Sequence, residues 1–283
     1  MNLSSPIVAH AFSFGIGPLT ITGFGIAVLS AFLIGQYVCE QELTRRGQLV
    51  EARAMGDVTF AGLLGTLIGA KLYYVIVITH RFSDIFTRGG FVFWGGFIGS
   101  MLCGWIAIKW MKLSFLRFAD VAGIGLSAGY AVGRTGCWAV GDDYGKYWTG
   151  PFAVAFPEGA PPSTVSLMMR EFGQKFDTVM DPNTVVTVIP TQLIEVTLAF
   201  AMFLIAWRFR HHRHAPGWLF GVYCVMAGAE RFVVEFMRAK DDRFGLPFAL
   251  SAAQGIALIV LVVGIAIMAA LRNPEIPSHP VPA

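Results

Sequence analysis

The chain has 283 residues, of which 55% are hydrophobic and 14% are charged, and its mean hydropathy is +0.62. A soluble domain carries about 25% charged residues, so this composition excludes an ordinary soluble core with a polar surface. The formal net charge of +3 is small, and without a dense basic stripe it predicts no nucleic-acid partner. The four cysteines lack the spacing of a zinc site, so we expect no metal.

Seven apolar runs are each long enough to cross a bilayer as a helix, which takes about 20 residues. In chain order they are residues 16–38, 58–78, 91–110, 118–140, 190–209, 217–236 and 246–271. Lysine and arginine are modestly enriched in the connections after the odd-numbered runs, which predicts the amino terminus outside and the carboxyl terminus in the cytoplasm. The sequence therefore predicts an all-α membrane protein with about seven transmembrane helices.

One sizeable segment, residues 141–189, lies between the fourth and fifth runs and mixes glycine, proline and acidic residues. It contains a strand-like stretch at 151–156 and a helical one at 163–176. We expect it to form a small mixed extracytoplasmic head, with helices 1–4 in residues 1–140 and helices 5–7 in residues 190–272. The proline-rich residues 273–283 are expected to be a short disordered tail.

Ionisable residues inside the runs are costly to bury and usually functional. Arg134 lies on the fourth run between Gly133 and Gly136, which would let backbone approach a ligand closely. Arg231 and Glu235 lie four residues apart on the sixth run and share a helix face. Two intramembrane arginines indicate an anion, and lipid phosphate is abundant at that depth. Alternatively, Arg231 and Glu235 form an ion pair that only fixes helix packing. Snorkelling explains three others near run ends equally well: Lys71, Asp120 and Glu195.

Six segments, in order along the chain, resemble the phosphatidylglycerol–prolipoprotein diacylglyceryl transferases of bacterial inner membranes. Two lie in the first half of the chain, at residues 69–75 (GAKLYYV, similar to GARLGYV) and 89–99 (GGFVFWGGFIG, similar to GGxSFHGGLIG). Residues 119–123 (ADVAG) lead into 133–142 (GRTGCWAVGD), which resembles the family signature GRxGNFxNxE. The last two are 190–195 (PTQLIE, similar to HPxQLYE) and 231–238 (RFVVEFMR, similar to RFxxEFxR).

The resemblance implies a reaction and its partners. Such enzymes move the diacylglyceryl group of phosphatidylglycerol to the thiol of the lipobox cysteine in a preprolipoprotein, and they release glycerol 1-phosphate. The implied partners are phosphatidylglycerol, the signal peptide that carries the lipobox cysteine, and membrane lipids. No cofactor is implied, and the implied location is the bacterial inner (cytoplasmic) membrane, crossed several times.

The resemblance also implies the site residues. Arg134, Arg231 and Asp142 are the expected catalytic residues; the arginines would clamp the phosphate, and Asp142 stands where the family carries a glutamate. The implied substrate-binding residues are Glu235, Glu195, Gly133, Gly136, Gly95, Gly96, Trp94, Cys137 and Gln192.

Two of these positions depart from the family pattern. Trp94 replaces the FHGG histidine, a candidate base for the thiol, and Cys137 replaces the asparagine of the signature. A histidine could be dispensable, because nearby arginines lower the pKa of a thiol from about 8.5. Alternatively, the chain is a paralogue that uses the same donor lipid with another acceptor, or a non-catalytic phospholipid-binding protein. Cys137 is interpreted as a buried replacement for the asparagine, in preference to a local nucleophile.

Overall fold

The computed structural model describes residues 7–16, 19–87, 90–176, 180–239 and 250–273. Seven long helices and a short one, α5, occur in these ranges. In chain order they are α1 (Gly23–Arg45), α2 (Leu49–Tyr73), α3 (Phe93–Trp110), α4 (Phe115–Val140), α5 (Val165–Phe172), α6 (Thr191–Phe209), α7 (Trp218–Val234) and α8 (Ala252–Ala270). A π-helical turn, Tyr74–Thr79, extends α2.

Five of these helices are long and apolar enough to cross a membrane: α1, α2 with its extension, α4, α6 and α8. The prediction of a helical, multi-pass membrane protein is therefore confirmed. The other two long helices, α3 and α7, have 18 and 17 residues. Helix α4 lies at the centre of the bundle, where it contacts α1, α6 and α7.

The first apolar run does not form one helix from residue 16, as the sequence predicted. Its beginning belongs to an antiparallel hairpin of β2 (Ser13–Ile16) and β3 (Leu19–Thr22), which pairs backbone groups across the turn. Helix α1 begins only after Thr22, whose Oγ1 accepts a hydrogen bond from the Gly25 N–H at 3.2 Å. The helix then continues seven residues past the predicted end, to Arg45.

Small residues let the helices pack with their backbones in contact. A Cβ on Gly69 would lie 2.3 Å from the Gly95 carbonyl oxygen, and one on Gly99 would lie 2.1 Å from that of Gly65. Helices α2 and α3 therefore cross at a distance that only glycine permits. A Cβ on Gly136 of α4 would lie 2.8 Å from that of Ala27 on α1.

Residues 141–189 contain α5 and two short strands, β4 (Val154–Ala155) and β5 (Thr187–Val188). Strand β4 pairs antiparallel with β5 and parallel with β1 (Ile7–Val8), which the amino-terminal segment supplies. This contribution from the amino-terminal segment was not predicted from the sequence. The hydrophobic cluster beneath the sheet includes Tyr144, Phe156, Val165, Met168 and Val188.

Helix α8 begins with a capping box. The Ser251 hydroxyl accepts from the Gln254 N–H at 3.1 Å, and the Gln254 side chain accepts from the Ser251 N–H at 3.0 Å. Compared with the predicted run over 246–271, the helix begins later, after Ser251, and ends one residue earlier, at Ala270. Residues 246–249 of that run lie outside the described residues. The tail predicted for 273–283 also lies outside them, except for Asn273.

The glycine contact between α2 and α3 can be tested within α3. Gly99→Ala places a methyl group against the α2 backbone and forces the helices apart, so we expect the free energy of unfolding to fall by about 1–3 kcal/mol. The matched control is Gly104→Ala on the same helix, where a Cβ meets nothing within 4 Å. Thermal unfolding in detergent, followed by tryptophan fluorescence, measures both. Equal effects of the two substitutions would refute the close crossing.

Candidate active site

Charged residues from three helices meet at the end of α4. We call this group the arginine cluster; its members are Arg134, Asp143, Glu195, Arg231, Glu235 and Arg238. Arg134 comes from the last turns of α4, Glu195 from the second turn of α6, and Arg231 from the last turn of α7. The cluster therefore depends on how these three helix ends are packed.

Glu195 is the buried centre of the cluster, with 0% of its side chain exposed. One of its carboxylate oxygens accepts from an Arg134 Nη atom in a short contact. The other lies 3.8 Å from an Arg231 Nη atom and accepts from the Tyr130 hydroxyl at 3.4 Å. One carboxylate thus holds the two arginines that the sequence placed on different helices.

Asp143 links Arg134 to a third arginine. Its carboxylate accepts from Arg134 at 3.0 Å and from Arg238 at 2.7 Å. Burial by itself would raise the pKa of the Asp143 carboxyl, but the charges of Arg238 and Arg134 outweigh it and hold that pKa well below its usual range. Asp143 is therefore an ionised bridge between two arginines.

Arg231 and Glu235 form the expected pair, with 2.7 Å between an Nη atom and Oε2. The Ser251 hydroxyl donates to the other Glu235 oxygen at 3.2 Å, which ties the pair to the start of α8. Arg231 keeps 32% of its side chain exposed. The pair therefore links the end of α7 to the start of α8, and part of the Arg231 side chain is not enclosed by protein.

Asp142 differs from its neighbour because its Oδ1 is buried without a hydrogen-bond partner among the described residues. Burial, and after it the Asp143 carboxylate, raises the pKa of Asp142 to about 6. A hydrogen bond with the Cys137 thiol, and after it the charge of Arg134, oppose this rise in the pKa only in part. Gln192, fully buried at the start of α6, donates its amide to the Asp142 carbonyl at 2.7 Å and fixes the backbone there.

Cys137 lies inside the same region and is buried. Its Sγ and carboxylate oxygens of Asp142 and Asp143 lie within 4.8 Å of one another, a set that could contact one cation. Arg134 already donates from one Nη atom to both the Cys137 sulfur, at 3.2 Å, and Asp143. The Arg134 guanidinium therefore already places positive charge beside two of the three groups that could bind a cation.

The glycines expected to bind substrate contact other helices. Gly95 and Gly96 pack on α2, where a Cβ on Gly96 would lie 3.2 Å from the Thr66 side chain. Gly133 and Gly136 face α1, where an added Cβ would lie 3.7 Å from Ala31 and 2.8 Å from Ala27. Of these two, Gly136 is the one that the packing of α1 requires to be small.

Trp94 lies apart from the helix ends that form the arginine cluster, on the first turn of α3. Its side chain is 45% exposed and its ring contacts are with Phe93 and Phe97. An exposed indole on an apolar helix face is suited to contact with lipid. The position of the family histidine is thus occupied by an aromatic ring that cannot accept a proton.

Sequence reasoning left Asp143 and Arg238 out of the site. Arg238 follows Glu235 by three residues, and the Arg238 Nε lies 3.6 Å from the Glu235 Oε2. Asp143 stood beside Asp142 with nothing to distinguish the two. Only the fold brings Asp143 and Arg238 together, because 95 residues separate them along the chain.

Comparison with known proteins decides the family. Residues 11–270 match the sequence model of the family described as "Prolipoprotein diacylglyceryl transferase". The chain belongs to this family. Relatives named phosphatidylglycerol–prolipoprotein diacylglyceryl transferase occur in Burkholderia mallei and Burkholderia pseudomallei, each 29% identical over 93% of both chains. Another, from Cupriavidus metallidurans, is 26% identical over 92% of this chain and 90% of its own.

The raised pKa of Asp142 predicts a stability effect with a definite sign. As the pH rises from about 4, an unfolded Asp142 loses its proton first, whereas the folded one keeps it until about pH 6. The folded state therefore loses stability across this window. Asp142→Asn removes the loss, so its Tm should exceed that of the unmodified chain above pH 6 and match it near pH 4. A difference in Tm that is constant with pH would contradict the assignment.

Proposed function

We propose that the chain transfers the diacylglyceryl group of phosphatidylglycerol to the lipobox cysteine thiol of preprolipoproteins, and that the arginine cluster is the site of transfer. Membership of the family and the names of the relatives give the donor lipid, the prolipoprotein acceptor and the class of enzyme, a transferase. They do not favour a paralogue with another acceptor or a non-catalytic lipid-binding protein. The observation that carries the location is the convergence of Arg134 and Arg231 on Glu195.

The reaction requires positive charge where the phosphate leaves. The thiolate sulfur attacks the glycerol carbon that carries the phosphate, a C–S bond forms, the C–O bond breaks, and glycerol phosphate departs with the electron pair. Negative charge builds on the leaving oxygen, where fixed guanidinium groups stabilise it most. Arg231 is partly exposed, and Arg134 is 11% exposed with a buried Nε that has no acceptor among the described residues, so neither guanidinium is fully used by protein acceptors.

The buried acids and the amide act as positioning residues. Glu195 holds Arg134 and Arg231 at a fixed separation, and Glu235 holds the open face of Arg231 towards the ligand. Gln192 keeps the Asp142 backbone in place beside them. Fixed donors of this kind need little rearrangement as charge develops, which is what lowers the barrier.

Asp142 is our candidate for the group that takes the thiol proton. The usual histidine position is Trp94, on the exposed face of α3. Asp142 offers a buried oxygen with no other partner among the described residues, beside the phosphate-binding arginines. A pKa of about 6 leaves this carboxyl ionised at neutral pH and yet basic enough to accept a proton. The proton then passes to solvent or to the departing phosphate.

The membrane arrangement follows from the same assignment. We place all seven long helices across a bacterial inner membrane, with the amino terminus outside and the carboxyl terminus in the cytoplasm. The arginine cluster then lies towards the outer face. Residues 141–189 form the extracytoplasmic head above it, where the signal peptide of the acceptor would arrive.

The phosphate clamp is tested by neutralising each arginine. Arg134→Gln and Arg231→Gln should each lower the rate of transfer by about 10²–10³-fold, because each removes a donor to the developing charge. The assay follows lipidation of a lipobox peptide by mass spectrometry, together with release of glycerol phosphate. The matched control is Arg53→Gln on α2, an arginine with an exposed side chain that lies outside residues 141–189. A double variant that keeps the activity of the control would sink the proposal.

The role of Asp142 is tested with an acceptor that needs no base. Asp142→Asn should lower the rate with a cysteine peptide by about 10²–10⁴-fold, the usual worth of proton transfer. A peptide with selenocysteine at the lipobox position should restore most of that loss, because a selenol is already ionised at neutral pH. Asp142→Glu keeps the carboxyl and should keep much of the activity. Equal losses with both peptides would show that Asp142 does not take the proton.

A further inference from the structure

A second charged site lies at the opposite end of α4. Asp120 and Arg134 are 14 residues apart on this helix, which is about 21 Å at 1.5 Å per residue. Around Asp120 the structure has a cavity of about 240 Å³, which we call the basal pocket. Arginines and histidines dominate its wall: Arg45, Arg46, Arg210, His211, His212 and His214. The proposed transfer reaction uses none of them.

Both carboxylate oxygens of Asp120, the acidic residue that lines the basal pocket, are already engaged in hydrogen bonds. Asp120 is fully buried, and its Oδ1 accepts from the backbone N–H groups of Gly217 and Leu219, both at 2.9 Å. Its Oδ2 lies 2.5 Å from Arg46 and 2.9 Å from His212. Asp120 therefore caps the start of α7 and fixes two cavity-lining side chains in place.

A second buried acid, Glu42, compensates the positive charge of the arginines at the end of α1. It contacts Arg45 at 2.5 Å and Arg46 at 2.7 Å. Two acids thus face two arginines, and their charges cancel. Both arginines also donate to the backbone carbonyl of Arg210, at 3.2 and 3.4 Å, which holds the loop after α6 against the pocket.

Arg210 also lines the pocket, but it takes no part in the ion pairs that Glu42 and Asp120 form with Arg45 and Arg46. Its guanidinium lies 3.8 Å from the centre of the Trp207 ring, and its Nε contacts the His211 ring at 3.2 Å. Within the described ranges, no carboxylate lies within 4.0 Å of it. The ion pairs of Arg45 and Arg46 are enough to join the helix ends. Arg210 is not needed for them, and its guanidinium lines the cavity with a positive charge that no neighbouring carboxylate among the described residues compensates.

We propose that the basal pocket binds a phosphate group, carried either by a lipid head group or by free phosphate. Planar guanidinium groups match the oxygens of phosphate and form charge-assisted hydrogen bonds with them. Exposed apolar side chains occur on the same helix ends, Leu49 and Val50 at the start of α2 and Phe209 at the end of α6. A phospholipid could rest its chains there while its phosphate meets Arg210.

The test uses the full chain in detergent with Arg134→Gln added throughout, so that binding at the arginine cluster is weakened in every sample. Two probes are titrated by calorimetry: dihexanoyl phosphatidylglycerol and inorganic phosphate. Arg210→Gln should weaken binding by about tenfold or more, since it removes charge-assisted hydrogen bonds. The matched control, Arg213→Gln, changes an exposed arginine of the same loop that does not line the cavity and should leave binding unchanged.

The outcomes separate the sources of the phosphate. Loss of binding for both probes supports a site for phosphate in general, and loss for the lipid alone supports a head-group site. Equal binding in the Arg210 and Arg213 variants, or no binding by either, would overturn the proposal. If Arg210→Gln does not fold, His211→Gln takes its place, and Arg210→Lys, which keeps the charge, should retain most of the affinity. The proposal does not depend on the transfer reaction, so either can fail alone.

Discussion

The buried carboxylate of Glu195 is the constraint on which the active end of the bundle depends. A charge removed from water is tolerated only when partners compensate it, and removing one partner of a buried pair costs about 3–5 kcal/mol. Glu195 and the guanidinium of Arg134 satisfy this condition together, on α6 and α4. Arg231 joins from α7. The electrostatics therefore require these three helix ends to meet, and they meet at the place where we propose that a phosphate is held.

Helix α4 carries both charged sites because its neighbours approach it so closely. Gly136 admits Ala27 of α1, and Gly123 admits the backbone of α7 at Leu219, where a Cβ would lie 2.7 Å from the carbonyl oxygen. A central helix with small residues on its packing faces has little room for large polar groups along its middle. Its charges are therefore found near the two ends, with Asp120 at one and Arg134 at the other.

The sequence predicted the parts of the fold that depend on local composition. The ends of α3 and α6 fall within two residues of the expected positions. Gly90 and Pro190 stand where the two runs begin, and a basic residue follows each end, Lys112 and Arg210. The start of α1 was wrong because a hairpin of apolar residues looks the same as the first turns of a membrane helix. The helix contacts of the glycines could not be inferred from the sequence either, because a close approach needs glycine whether the approaching group is a ligand or a helix.

In the arginine cluster, too, some residues can be recognised from the sequence and others only from the tertiary structure. Arg134, Arg231 and Glu235 stand out in the sequence, because charges inside apolar runs are rare. Asp143 and Arg238 do not, since both lie in segments where charge is ordinary. Their contact at 2.7 Å is a property of the tertiary structure. The separate environments of Asp142 and Asp143 could likewise not be inferred, because the two residues differ only in which way their side chains point.

Strand β1 gives the molecule an order of assembly. Ile7 pairs in parallel with Val154, and the Ala9 N–H donates to the Ala155 carbonyl at 3.0 Å. This pairing closes a loop that contains the first four long helices, so it cannot form until the ribosome has delivered the chain beyond residue 155. Strand β1 must therefore wait for the synthesis of α1 to α4 before its partner exists. The small sheet thus forms late, because it joins β1 to a strand that is synthesised about 150 residues after it.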